Sequence, residues 1–262
     1  AWLVLLRPLA AARPAIAQDY IREELRIPRP AAGPRGLEAL LIRPAGDGPH
    51  PLALISHGAP RDGAARQAMS TNGLYRQGIE FARRGFAALL VMRRGYGTSG
   101  GEYAENSGPC ANRDYLRTAR TSAADLRAAV QAMQGRSDVT TNGFIAVGVS
   151  AGGIASVALS ADPPPGLAAA INFAGGRGSR AADDVCDEDS LVRTFAALGR
   201  TSRVPTLWVY AQNDRFFGPA LARRMQSAFT GAGGRAEFID AAAFGDDGHS
   251  LFPRGIAIWT SM

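Results

Sequence analysis

The sequence predicts an α/β fold in which a mostly parallel central sheet carries helices on both faces. Continuous apolar runs of strand length recur along the chain. Runs of helix length alternate with them, and clusters of Gly, Pro, Asn and Asp separate the two kinds. Strands covered on both faces lose the in-and-out alternation of a half-exposed sheet, so uninterrupted apolar runs between helices are what a covered parallel sheet requires. With 262 residues, 46% of them hydrophobic, the chain can bury a sizeable core, and residues 18–262 fit one such domain better than two.

The first element is a processing segment. Trp2-Leu3-Val4-Leu5-Leu6, followed by small residues to Ala15-Ile16-Ala17, reads over residues 1–17 as the remnant of a signal peptide, with the mature chain starting near Gln18. The expected localisation is therefore periplasmic or secreted. Arg7 and Arg13 interrupt the apolar run, which falls short of the roughly 20 residues of a membrane anchor. Strands are then expected at 37–42 and 52–56, a helix at 73–84 and a strand at 86–92. A long helix follows at 116–133, with Ala123, Leu126, Val130 and Met133 spaced to share one face. The strand 144–147 runs directly into Ser150 and an alanine-rich helix. Beyond the Asp162-Pro163-Pro164-Pro165 stop come a strand at 168–173, a helix at 191–198, a strand at 206–210, a helix at 219–229 and a strand at 236–239. Only 13 residues follow His249, and Ile256-Ala257-Ile258-Trp259 reads as the opening of a helix, so the domain is expected to be cut short there.

The formal charge of +6 comes from arginine, since the chain contains no lysine. The arginines are scattered, in pairs at most, and not clustered on one element with interleaved aromatics as a nucleic-acid footprint would be. Nucleic acid is accordingly excluded as a partner, and oligomeric state is not legible. Two cysteines, Cys110 and Cys186, are too few for a disulfide scaffold and lack metal-ligand spacing. They suffice for one bridge across loops near the presumed active edge, or for two free thiols. No cofactor or metal is implied.

Gly148-Val149-Ser150-Ala151-Gly152 carries the chemistry. A serine on a sharp strand-to-helix turn needs glycine two residues to either side, because a Cβ there would meet the returning backbone. Gly97-Thr98-Ser99-Gly100-Gly101 matches the same pattern, but no helix starts after it. Context selects Ser150 over Ser99. A serine hydroxyl is a poor nucleophile at neutral pH and needs a base, which in turn needs an orienting acceptor. His249, on a glycine-punctuated loop, is the only histidine downstream of Ser150. Asp214 follows the apolar strand ending at Tyr210, at the strand end where ligands collect in such sheets. Asp246 and Asp247 compete by proximity to His249, yet on one tight loop they would more readily cap the turn. Oxyanion donors are expected from the backbone N–H of Ala151, at a helix start, and of Ala59 in His57-Gly58-Ala59-Pro60, where Pro60 has none to give. His57 itself reads as a brace for that loop.

Together the H-G-x-P segment at His57, the R-G-x-G-x-S-x-G segment from Arg94 to Gly101, the Ser150 turn, Asp214 and His249 resemble an α/β-hydrolase. The likeness runs from about residue 37 to 252, nearest to the dienelactone-hydrolase and prolyl-oligopeptidase-like branches, and the order Ser, Asp, His agrees with that fold. The resemblance places Tyr96 on the active-site side of its loop as a substrate contact, with packing as the other reading. Dienelactone hydrolases carry a cysteine nucleophile where this chain has Ser150, and prolyl oligopeptidases carry a gating domain that is absent here. About 30 residues separate the strands ending near Phe173 and starting near Thr206, room for one helix and a loop but not a large lid, so a small lid or none is expected over an open mouth. Arg177 and Arg180 there could meet an acidic substrate. The expected function is a serine hydrolase cleaving small carboxylic esters through an acyl-enzyme. The alternatives are a serine peptidase or amidase, and a non-catalytic binding protein on the same scaffold.

Overall fold

The computed structural model describes residues 20–262, so the expected signal segment at 1–17 lies outside them. In chain order the elements are β1 (Tyr20–Ile27), β2 (Leu37–Pro44), β3 (His50–Ser56), α1 (Tyr75–Arg83), β4 (Ala87–Val91), α2 (Tyr115–Met133), β5 (Val139–Val149) and α3 (Ala151–Ala161). There follow β6 (Leu167–Phe173), the short strands β7 (Ser179–Ala181) and β8 (Asp184–Val185), α4 (Glu188–Gly199), β9 (Thr206–Ala211), α5 (Pro219–Gly231) and β10 (Ala236–Ala241). Two single turns, α6 (Leu251–Arg254) and α7 (Ile256–Trp259), close the chain.

Eight strands share one sheet in the order β1-β2-β4-β3-β5-β6-β9-β10. From β4 to β10 every pairing is parallel, while β2 runs antiparallel to both β1 and β4. This is the mostly parallel sheet the apolar runs predict. The strand β1 is absent from the sequence expectation. Its YIREELRI segment occupies the sheet edge with most side chains exposed or half-buried, so it lacks the apolar run that marks the inner strands.

Helices α2, α3, α4 and α5 cover one face. The predicted stripe of α2, Ala123, Leu126, Val130 and Met133, is buried there, and Asp114 caps the helix by accepting from the Arg117 N–H (3.0 Å). Truncating Leu126 to Ala would cost about 2–5 kcal/mol. Phe81 and Ala82 of α1, with Leu251 and Phe252 of α6, cover the other face. Trp259 of α7 stacks on Phe81 and packs against Phe173 and Phe252, and its Nε1–H donates to the Phe252 carbonyl (3.0 Å). The segment between β6 and β9 adds the β7–β8 hairpin to the expected helix and loop. Because the inner strands are parallel, the chain leaves β3, β4, β5, β6, β9 and β10 at one edge, where Ser150 follows β5, Asp214 follows β9 and His249 follows β10.

Candidate active site

Ser150 follows β5 directly and precedes the first residue of α3, with φ 55° and ψ −121°. A side chain at such positive φ is strained by about 1–3 kcal/mol and persists only where its surroundings over-determine it. Here they do. Its N–H donates to the Phe173 carbonyl (2.9 Å), and its own carbonyl accepts from Gly153, Ile154 and Gly176. A Cβ on Gly148 would overlap the Gly152 carbonyl, and one on Gly152 would overlap the Ser56 carbonyl, which is the steric reason both positions are glycine. Ser99, the rival match, is a structural serine: its hydroxyl donates to the Met92 carbonyl (2.7 Å) and accepts from the Glu38 N–H (2.9 Å).

Asp214, past β9, is buried and uses both carboxylate oxygens. Oδ1 accepts from the N–H groups of Phe216 (2.7 Å) and Phe217 (2.9 Å), and Oδ2 lies 3.0 Å from His249 Nδ1. Pinned on one side by two amides, the carboxylate presents its other oxygen to the imidazole in a fixed direction. Two loops are zipped together around this pair. The Gly248 N–H donates to the Asn213 carbonyl (3.1 Å) and the Phe244 N–H donates to Asn213 Oδ1 (2.9 Å). Asp247 caps the turn as its position suggests, its Oδ1 accepting from the His249 N–H (2.9 Å) and the Arg215 N–H (3.0 Å). No hydrogen bond joins Ser150 Oγ to His249 in this structure; the imidazole lies behind Phe216, with which it stacks and which, like Ser150, lines the pocket.

The pocket has a volume of ≈ 350 Å3, and Ser150, Ala151 and Ala59 all line it. Ala151 is the first residue of α3, where backbone N–H groups lack helical partners and the helix dipole is positive. The backbone carrying Ala59 is held against the serine: an added Cβ on Gly58 would lie 3.2 Å from Ser150 Cβ. His57 braces that loop. Its Nδ1–H donates to the Gly58 carbonyl (2.6 Å) while Nε2 accepts from the Arg93 N–H (3.1 Å), which fixes the neutral form. Burial and the Arg93 charge push this imidazole down to about 3.

Beneath the pocket lies a buried ionic cluster that sequence reasoning missed. Glu105 accepts from Arg93 Nε (2.5 Å), Arg177 (2.5 Å), the Tyr96 hydroxyl (2.7 Å) and the Ser122 hydroxyl (2.6 Å). Arg93 also donates to Ser56 Oγ (2.8 Å) and the His57 carbonyl (2.7 Å), so the cluster reaches the loop of Ala59. Burial alone would raise the Glu105 carboxyl, but Arg177, Arg93 and the donated hydrogen bonds hold it well below the usual carboxylate range. The expectation that Tyr96 contacts substrate is corrected here. Tyr96 is fully buried, its hydroxyl committed to Glu105 and its ring set edge-on against His57 (4.5 Å) and Tyr103 (5.6 Å). Tyr103, not Tyr96, lines the pocket.

Cys110 and Cys186 form a disulfide with Cα atoms 5.0 Å apart. The bridge ties the loop before α2, which supplies Tyr103, Glu105 and Arg113 to the pocket, to the segment after β6, which supplies Arg177 and Arg180. The sequence also left Phe216 and Phe217 unremarked, although an aromatic pair directly after Asp214 is a readable sign of a walled imidazole. Among the described residues no group of three or more His, Cys, Asp or Glu side chains could hold a metal ion.

A mostly parallel sheet of this order with a strained serine at the β5–α3 turn defines a serine hydrolase of the α/β-hydrolase type. The chain belongs to the X-Pro dipeptidyl-peptidase (S15) family, whose model matches residues 35–215, a stretch that includes Ser150 and Asp214 and ends before His249. No curated protein matches it in sequence. Among solved structures it is similar to a protein from Klebsiella pneumoniae assigned as a dienelactone hydrolase, at 16% identity and TM-score 0.60, over 93% of this chain and 99% of that one. A cold-adapted esterase from an Arctic intertidal metagenomic library is similar at 10% identity and TM-score 0.59, over 93% of this chain and 91% of its own. The acylaminoacyl peptidase of Pyrococcus horikoshii is similar at 14% identity and TM-score 0.59, and the match covers 91% of this chain but 39% of that longer protein.

Proposed function

We propose that the protein hydrolyses carboxylic esters through an acyl-enzyme. Ser150 attacks the carbonyl, His249 takes the hydroxyl proton and returns it to the leaving alcohol, Asp214 orients the imidazole, and the Ala151 and Ala59 amides stabilise the oxyanion. The observation that carries this reading is the Asp214–His249 pair, fixed by the Phe216 and Phe217 amides at the same sheet edge as the strained Ser150. Base duty requires His249 Nε2 to come within hydrogen-bond reach of Ser150 Oγ, and such contacts commonly tighten only when substrate binds.

Amide hydrolysis is the second reading, favoured by the family match. Against a dipeptidyl-peptidase role stands the pocket's charge. A free peptide amino terminus is an ammonium, and the one carboxylate that lines the pocket among the described residues, Glu105, is already committed to two arginines. The Cys110–Cys186 bridge supports residence in an oxidising compartment, periplasmic or extracellular.

The test is turnover of a short-chain aryl ester and of its matched anilide, with labelling by a fluorophosphonate. Ester hydrolysis lost by about 10³-fold or more in Ser150→Ala is the expected outcome. Absence of labelling would revive a non-catalytic binding role, and preference for the anilide would move the assignment to peptidase.

A further inference from the structure

We propose that the Ser150 pocket selects substrates bearing a carboxylate, which its arginine wall binds beside the scissile bond. The proposal rests on the ester-hydrolase reading and names its substrate class. Among the described residues five arginines line the pocket, Arg61, Arg66, Arg113, Arg177 and Arg180, against the single carboxylate of Glu105. Glu105 is shared between Arg177 and the buried Arg93, and Arg180 pairs with Asp184 (2.8 Å). Among the described residues Arg61, Arg66 and Arg113 form no ion pair. The wall and its immediate partners thus set six guanidiniums against two carboxylates, an excess of four positive charges.

Neutral groups hold these side chains in place without cancelling their charge. Arg61 donates to Ser179 Oγ (2.8 Å) and the Ala181 carbonyl (2.9 Å) and lies over the Phe216 ring. Arg113 donates to the Gly108 carbonyl, and Arg66 sits 3.9 Å from the centre of the Tyr103 ring. Among the described residues the buried Nε atoms of Arg113 and Arg177 find no acceptor. Guanidiniums ordered in advance lose little freedom on binding, and a recessed pocket with low-dielectric walls focuses their field. Arginine abundance does not account for the excess, because arginines elsewhere on the surface commonly meet an acid, as in Arg136 with Glu23 and Asp138, Arg223 with Asp240 and Arg224 with Glu188 and Asp189. The planar fork of a guanidinium matches a carboxylate, so this anion is the fitting ligand.

The experiment compares two matched pairs of esters. Mono-4-nitrophenyl adipate against 4-nitrophenyl hexanoate places the carboxylate on the acyl side; 4-carboxyphenyl butanoate against 4-carbamoylphenyl butanoate places it on the leaving group. At low salt, at least one anionic ester should exceed its neutral match by about tenfold or more in kcat/KM, the scale of one hydrogen bond to a charged group. The preference should shrink in about 0.5 M NaCl, where exposed charges are screened. Arg66→Met and Arg113→Met, checked for folding by circular dichroism, should lower the ratio of anionic to neutral turnover. A ratio at or below one in both pairs, or a ratio that survives both substitutions, overturns the carboxylate proposal, while Ser150-dependent turnover of the neutral esters would leave the hydrolase reading standing. No Ser150-dependent turnover of any of the four esters overturns both.

Discussion

Phe216 lies flat on the His249 imidazole, with ring centres 3.8 Å apart and planes 9° from parallel. The Arg61 guanidinium is 3.5 Å from the centre of the same phenyl ring. Two groups that close to one ring must occupy opposite faces, so Phe216 separates a fixed cation from the proposed general base. The stacking leaves the imidazole one orientation in which Nδ1 meets Asp214, and the backbone N–H of that same phenylalanine pins the other oxygen of Asp214.

Phe216→Ala should therefore lower kcat more than KM changes, by about tenfold, the scale of a lost aromatic pair worth 0.5–1.5 kcal/mol. Phe216→Tyr should recover most of the loss. Steady-state kinetics on a neutral aryl ester checks this, and a change confined to KM would contradict the positioning role.

Ser150→Gly should abolish ester hydrolysis and raise stability by about 1 kcal/mol, since glycine relieves the positive φ. Ser150→Ala keeps the strained backbone and should lose activity without that gain. Urea denaturation of the two variants side by side separates strain from chemistry.

Removing Glu105 would strand Arg93 and Arg177 in the interior. Glu105→Ala is expected to cost about 3–5 kcal/mol, as for other broken buried ion pairs. The carboxyl is held below its ordinary value of 4.5, so its contribution is fully present above that pH and is lost as pH falls toward its folded value. Acid titration of stability below pH 4.5 should be steeper in the wild type than in Glu105→Gln.

His57 imposes a different pH dependence. Its imidazole titrates near 6.5 when unfolded and at about 3 when folded, so below pH 6.5 the unfolded chain takes up a proton that the folded one refuses. Stability should fall with falling pH by up to about 1.4 kcal/mol per unit in that window. Between pH 6.5 and 5, where most carboxylates do not titrate, His57→Gln should flatten the slope. Equal slopes in denaturation series at pH 7.5 and 5 would contradict the neutral buried assignment.

Much of the fold is legible in the sequence because the inner strands are short apolar runs closed by glycine or polar residues. Phe144 to Val147 followed by Gly148 and Ser150 admits few other geometries. What escaped has a physical reason in each case. The edge strand β1 carries an Arg-Glu-Glu run, because one side of it has no neighbour to bury against. The β7–β8 hairpin is too short for a periodic signal, with Arg180 and Asp184 paired across it. Glu105 sits in a loop of Gly, Asn and Pro, and its partners lie 9, 12, 17 and 72 residues away, beyond any local spacing rule. Tyr96 was readable either as a substrate contact or as packing; a buried carboxylate in need of donors decided for packing.

The disulfide has a further consequence when a protease nicks the chain. Cys110 and Cys186 are 76 residues apart, and the β7–β8 turn lies inside the loop they close. A single cut at that exposed turn would put Ser150 on one fragment and Asp214 with His249 on the other. The two pieces would stay covalently tethered until a reductant reached them, so a nicked molecule could remain assembled and come apart only on a reducing gel.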